Sequence, residues 1–320
     1  MTISKRILAA VAAVAFLGSS AMAGGSVADK YPESLLYSKP LKVAEDVWSA
    51  IGATQPYTYE NAGHNNNLSF VIGEKGVLVV NGSSTYLLAK ALHDEIRKLT
   101  DKPVLYVVDE NGQLHATLGN SYWKEQGATI IAHADTVTEL EKHGAGYVER
   151  ARAFAKERAD GSKLVPIDKS FTDRMTLDLG GITAELIYFG PSHSEGDISV
   201  FIPERNVLIA GDIAFHQRML PLFPETSVKA WLETWPAFAE FAKGKTIVPG
   251  HGTVTDLATV DQYTRGYLQY LRDQVAALLD KGGTLDDAYE IDQSAYRHLD
   301  TFDELARQNA GRVFTQMEFE

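Results

Sequence analysis

The chain has 320 residues, is 45% hydrophobic and 22% charged, carries a formal charge of −12 and contains no cysteine. Length and composition suit one large core or two smaller ones, and the missing cysteine excludes disulfides and any thiolate nucleophile or ligand, so a metal here would have only His, carboxylate or amide oxygen to bind. So acidic a chain is a poor nucleic-acid binder, and its mean field repels anions unless a site is locally positive.

The N-terminus reads MTISKRILAAVAAVAFLGSSAMAGG. Lys5 and Arg6 precede an apolar run from Ile7 to Leu17 and the small-x-small triplet Ala21-Met22-Ala23. This is the pattern of a signal peptide cut after Ala23. The run is too short for a comfortable membrane-spanning helix, and no later stretch is long and apolar enough to span a bilayer. The mature protein is therefore expected to be exported and periplasmic. Losing the two cations would move its charge from −12 to −14. Residues 24–45 read as a polar leader, and 46–320 as the folded domain with a helical C-terminal tail.

In chain order, 69–84 (SFVIGEKGVLVVNGSS) predicts two short strands around a Glu-Lys-Gly turn. Apolar residues at helical spacing predict a helix over 85–100, capped by Ser84 or Thr85. A strand at 102–110, a short helix at 116–126 and a strand at 128–135 follow. This alternation predicts parallel strands joined by crossover helices. Residues 136–162 are helical and highly charged, and read as a solvated helix rather than a lid. The second half is richer in strands, at 175–181, 182–190, 197–204, 206–212 and 245–252, with a hairpin turn at Asp-Leu-Gly-Gly (178–181). Helices are expected at 227–243, 258–281, 285–291 and from 300 onward.

Chemistry concentrates at four places. VVDENGQLHATLGN (107–120) starts as a buried strand and runs into Asp109, Glu110, Asn111, Gln113 and His115. GPSHSEGD (190–197) puts His193 in a loop after a strand. NVLIAGD (206–212) and IVPGHG (247–252) put Asp212 and His251 at strand tips. Strand tips and the loops after them are where α/β proteins hold functional groups. Singly, each residue reads as a cap, a turn former or a core histidine; the combination is more specific. His64 is expected to be solvent-exposed or to cap a turn. His216 is expected to be structural, and 215–235 to pack a core helix or form an apolar pocket wall. His93, His133, His143 and His298 are assigned no role.

The set GPSHSEGD, IAGD and VPGHG, with FVIGEKGVLVVNG before and QNAGRVFTQMEFE at the end, resembles the metallo-β-lactamase superfamily over nearly all of the mature chain. It looks closest to the exported branch associated with quinoprotein relay and sulfur oxidation. The resemblance implies an αββα sandwich of two βα halves. The family's H-x-H-x-D-H motif falls on 107–120 without a gap. Its first two histidines land on Asn111 and Gln113, its Asp on His115 and its last His on Ala116. The family's strand-end Asp lands on Asn81. His193, Asp212 and His251 keep the family residue.

By that resemblance, the first metal site would consist of Asn111, Gln113, His193 and Asp212. Amide oxygens are weak ligands, so that site is expected to be empty or feeble. The second would hold one zinc ion through His115, Asp212 and His251, a set that also suits ferrous iron, with an open position or with His193 as a fourth ligand. A metal-dependent hydrolase of a small ester, lactone or amide-type substrate follows. In it Glu110, less readily Asp109, would be the general base, and Asn111 and Gln113 would donate to a developing oxyanion. The alternative is a metal-free, catalytically inactive protein that binds a small molecule or a periplasmic partner, with His193, Asp212 and His251 in a hydrogen-bonded network.

Overall fold

The computed structural model describes residue 31 and residues 33–320, so the predicted signal peptide lies outside the described residues. Strands β1 (Leu41–Ala44), β2 (Val47–Ala50), β3 (Leu68–Ile72) and β4 (Val77–Val80) form an antiparallel meander. Helix α1 (Tyr86–Arg97) then crosses to β5 (Val104–Val108). Short helices α2 (Leu114–Thr117) and α3 (Asn120–Glu125) lead to β6 (Thr129–His133), and α4 (Ala134–His143) and α5 (Tyr147–Ala155) lead to β7 (Lys169–Phe171). Strands β4 to β7 pair in parallel, so the first sheet runs β1 to β7 in order.

The second half builds another sheet. Strands β8 (Arg174–Asp178), β9 (Thr183–Tyr188), β10 (Ile198–Ile202) and β11 (Val207–Phe215) are antiparallel. Helix α6 (Val228–Ala242) crosses to β12 (Thr246–His251), which pairs parallel to β11. Helices α7 (Leu257–Val260), α8 (Gly266–Leu279), α9 (Leu285–Ala288) and α10 (Phe302–Met317) close the chain. No helix of the described residues is long and apolar enough to cross a membrane.

The layering follows from the two-residue period of a strand. Val71, Leu78, Val80, Val108 and Ile131 of the first sheet meet Leu186, Val200, Ile209 and Val248 of the second in one buried layer. The alternate residues Phe70, Val77, Val79, Val107 and Ile130 turn outward onto Leu88, Leu92 and Ile96 of α1 and Trp123 of α3. On the far side, Leu208, Ala210 and Ile247 pack on Trp231 and Phe238 of α6 and Leu268 and Leu271 of α8. Helix, sheet, sheet and helix therefore stack as the αββα sandwich expected. Thr85 caps α1, its side chain accepting from the Leu88 N–H, which matches one of the two predicted caps.

Four details differ from the sequence reading. Leu41–Ala44, grouped there with the leader, is an edge strand, and Leu36 before it is buried. The helix expected at 116–126 starts at Leu114 and breaks before Asn120, where Gly119 lies so close to Gly82 that a Cβ would come within 2.0 Å of its carbonyl oxygen. The segment 136–162 is two helices joined through Gly144–Gly146. Finally, β11 continues three residues past Asp212.

If the two sheets share one core, Leu186→Ala, in the layer between them, should cost about 2–5 kcal/mol in denaturant unfolding. A loss well under that would mean that the sheets do not depend on each other.

Candidate metal centre

The predicted residues converge where the two sheets meet at their strand ends. Asp212 sits within β11 rather than at its tip. The pairing of β11 with β12 shifts register on both sides of Gly211, the residue before it, the signature of a bulge that re-aims a side chain. Gly211 adopts φ +71°, and a Cβ there would lie 1.9 Å from Glu110 Oε2; one on Gly250 would lie 2.1 Å from Asp212 Oδ1. Only glycines let β11, β12 and the 109–111 turn close around this carboxylate.

His115 stands in the first turn of α2 and His251 at the end of β12. The ligand atoms of His115, Asp212 and His251 all lie within 4.8 Å of one another, and all three residues are buried. His115 Nε2 is 3.5 Å from Asp212 Oδ2, and His251 Nε2 is 3.4 Å from Asp212 Oδ1. His193 is not part of this group. Its Nε2 stands 3.9 Å from Asp212 Oδ2, and its ring lies among Phe215, Phe223 and Trp231. The His193 loop is tied by Asp197, which accepts from the Ser192 hydroxyl and from the Ser194 N–H and hydroxyl.

The residues present fit a cation. His115 Nε2 and Asp212 Oδ1 are buried without a hydrogen-bond partner, and such orphans cost about 1–3 kcal/mol each. An ion about 2 Å from tetrahedrally placed donors would set those donors ~3.4 Å apart; each histidine stands near that distance from one or the other oxygen of Asp212, within a set whose atoms all lie within 4.8 Å. His251 Nδ1 lies 2.6 Å from the Asn65 carbonyl, so it donates there and leaves Nε2 with a free lone pair. Burial lowers the pKa of His115 and holds that of His251 well below the usual value, so both imidazoles are neutral and able to bind metal. Burial, with Glu110 nearby, pushes Asp212 well above the carboxylate range when no cation is there to balance it.

Asn111 and Glu110 lie behind this set. Asn111 Nδ2 donates to Asp212 Oδ2 at 3.2 Å and its Oδ1 accepts the Gln113 N–H. Its amide thus orients Asp212 and is not free for the oxyanion role expected of it. Glu110 exchanges two hydrogen bonds with Asn81, whose backbone is left-handed at φ +71°. It lies 3.5 Å from His115 Nε2 but does not line the cavity in front. Burial raises its pKa to about 8. Asp109, also raised by burial to about 8, accepts from Asn120 in the interior.

The cavity in front of the cluster measures about 470 Å³ and takes in His115, His193, His251 and Gln113. Three of its walls escaped the sequence reading. Arg218 and Tyr57 reach it from loops, and Glu139, Tyr147 and Arg150 from α4 and α5, so the segment expected to be merely solvated forms one side. The Asn triplet at 65–67 was also missed. Asn65 accepts from His251, and Asn67 Nδ2 donates to the carbonyls of Pro249 and Gly252, clamping β12 on both sides of His251. Three consecutive asparagines were a visible signal; nothing marked Arg218. His64, expected to be exposed or to cap a turn, is fully buried and ties the Tyr37 N–H to the Ala50 carbonyl. His216 is structural, bonded to the Thr253 carbonyl.

The chain thus combines an αββα sandwich with a buried His, Asp, His set of metal-ligating side chains carried by α2, β11 and β12. A family profile described as the metallo-beta-lactamase superfamily matches residues 115–262. A type 2 metallo-beta-lactamase of Bacteroides fragilis is 23% identical over 250 residues, which is 75% of this chain and 93% of that protein. Among solved structures, a metallo-beta-lactamase from Pontibacter korlensis superposes with a TM-score of 0.59 at 18% identity, covering 72% of this chain and 98% of that one. A stereoselective inverting sec-alkylsulfatase from Pseudomonas sp. gives 0.66 at 16% identity, covering 88% of this chain and 50% of that one. The profile match, the relative and the shared fold together support assignment to the metallo-β-lactamase superfamily.

The closeness of Gly211 to Glu110 predicts that Gly211→Ala destabilises the protein by about 1–3 kcal/mol, read from its denaturation midpoint. An unchanged midpoint would mean that the turn is not held as described.

Proposed function

We propose that this chain is a mononuclear metal-dependent hydrolase whose ion is held by His115, Asp212 and His251. The observation that carries the reading is the convergence of His115 Nε2 and Asp212 Oδ1, both buried and unpartnered, with His251 Nε2. Zinc suits the N, N, O donor set, and ferrous iron does so as well. When bound, such an ion supplies Lewis-acid polarisation and a nucleophilic water at neutral pH.

The protein's own groups do the rest. Asn111 fixes the rotamer of Asp212, and the Asn65 carbonyl fixes the tautomer of His251. Glu139, unlike Glu110, lines the cavity, as do Glu225 and Glu304, and burial raises the Glu139 pKa to about 7, where a group both accepts and returns a proton near neutral pH. Gln113 lines the same cavity, and no bond commits its side-chain amide as Asn111's is committed. It is the donor for an oxyanion on the substrate. Tyr57, with its pKa pushed up to about 12 by burial, stays protonated and can donate too.

The substrate class is a small ester, lactone or amide, in keeping with the cavity volume of about 470 Å³. The chain is exported to the periplasm on this reading, which the Lys5-Arg6 start, apolar run and Ala-Met-Ala triplet support. Membership of the branch associated with quinoprotein relay and sulfur oxidation rests on the GPSHSEGD, IAGD and VPGHG motifs.

Elemental mass spectrometry of the dialysed protein, before and after loading with zinc or ferrous iron, should find near-stoichiometric metal. Asp212→Ala should abolish it. Asn111→Ala, which frees the Asp212 carboxylate, should weaken metal affinity roughly 10–100-fold. No metal in any preparation would overturn the hydrolase reading and leave the chain a metal-free binding protein for a small molecule or a periplasmic partner.

A further inference from the structure

Both imidazoles of the cluster are backed by one loop. Residues 51–67, between β2 and β3, form no strand or helix of their own. They carry Asn65, whose carbonyl holds His251 Nδ1 at 2.6 Å, and Tyr57, whose hydroxyl oxygen lies 3.4 Å from His115 Nδ1. A histidine that ligates through Nε2 needs an acceptor for its Nδ1–H, which sets the tautomer and the ring orientation. For His115 that acceptor is Tyr57, the partner of Nδ1 found among the described residues. A loop side chain places another group only as firmly as it is held itself.

Helix α5 is what holds Tyr57. Phe154 stacks on its ring, with centroids 4.8 Å apart and planes 12° from parallel, a favourable aromatic arrangement. Arg150, one turn earlier on the same helix face, places its guanidinium 5.6 Å from the same ring's centroid. The Phe154 ring also lies against the loop's own turn. Gly63 is left-handed at φ +76°, and a Cβ there would come within 2.6 Å of Phe154 Cε2. Just past the helix, Arg158 donates to the Tyr59 carbonyl at 2.6 Å. Tyr57 and Arg150 line the cavity, and Phe154 does not. Its ring therefore braces the loop and has no ligand to contact.

We propose that Phe154 is a positioning residue for His115: by holding the Tyr57 ring it keeps the phenol oxygen on His115 Nδ1 and leaves the Nε2 lone pair open for an ion. Its consequence for metal affinity rests on the reading of His115, Asp212 and His251 as the ligands; the coupling of Phe154 to His115 does not. His115 is the ligand with most to gain from such a brace, because it rides on a helix of four residues. His251 stands at the end of a strand that Asn67 clamps on both sides, and depends on the loop less. The charged segment that carries Phe154 thus reaches the cluster itself as well as the cavity wall.

Nitrogen NMR of the imidazoles in the chelator-stripped protein tests this, with signals assigned by their loss in His115→Gln and His251→Gln. The parent should show His115 with its proton on Nδ1. Phe154→Leu, which keeps bulk but loses the ring, and Tyr57→Phe, which loses only the phenol oxygen, should both shift His115 toward the form protonated on Nε2. Phe154→Tyr keeps the stack and should retain the parent pattern, and His251 should hold its own in all three. In competition with a chromophoric chelator, Tyr57→Phe should weaken zinc roughly 10–100-fold and Phe154→Leu about threefold or more. The double variant should be no weaker than Tyr57→Phe alone, because one residue acts through the other. Phe154→Met replaces Phe154→Leu if that variant folds poorly. An unmoved His115 signal in Tyr57→Phe or in the ringless variant would overturn the proposal. So would equal shifts at His251, loss of the parent pattern in Phe154→Tyr, or zinc losses that add. A parent that takes up no zinc, but whose His115 signals still follow Phe154, would sink the metal reading and leave this coupling standing.

Discussion

The arrangement depends on one buried carboxylate. Asp212 lies within a strand, 1% exposed, between two apolar sheets. A carboxylate there has either to lose its charge or to be met by cations and donors. Its surroundings are built for the second outcome. Neutral imidazoles approach both of its oxygens, and Asn111 supplies a donor. The two glycines nearest to it, Gly211 and Gly250, are positions where any side chain would strike Glu110 or Asp212 itself. Remove the need to hold that carboxylate, and the bulge in β11, the left-handed Gly211 and the asparagine clamp on β12 have no common reason.

How firmly each histidine is held differs. His251 is fixed from behind by Asn65, and its strand is pinned by Asn67. Its ring also stacks on Phe215 with centroids 4.9 Å apart. His115 has a weaker support, Tyr57 at 3.4 Å from Nδ1, and rides on the short helix α2 rather than on a strand. His193 is held by packing against aromatic rings, with its Nδ1 unpartnered. Strand-borne ligands are placed more rigidly than those in loops or short helices. Asp212 and His251 are accordingly the fixed half of the cluster, and His115 the half able to adjust.

The period of the strands carried most of the architecture, because alternate residues of one strand must face different layers and the sequence displays both sets. Asp212 and His251 were legible for the same reason: a polar residue flanked by glycine at the end of an apolar run has few places to go. Glu110 follows the end of β5 in an irregular turn, where no period says which side chain faces the cavity, and it turns inward to Asn81. Arg218 could not be read at all. It lies among Met, Leu and Phe in a stretch whose composition signals packing, and its exposure to the cavity is set by the left-handed Gln217 before it and the bridge to Asp300, contacts spanning more than eighty residues. Glu139 and Arg150 were hidden likewise, since a charged helix looks the same whether water or a cavity lies beside it.

The amides at 111 and 113 change the charge balance of the whole site. Imidazoles at both positions could hold a second cation, whereas amides bind such ions weakly. Asn111 spends its donor on Asp212, a bond it would lose if its oxygen and nitrogen were recruited elsewhere. With one ion instead of two, the cavity would carry less positive charge, inside a chain of net −12, and would repel an anionic substrate. On the proposed reading, then, the amides at 111 and 113 belong with a single ion held by His115, Asp212 and His251, because the donor that a second ion would need is spent on fixing Asp212.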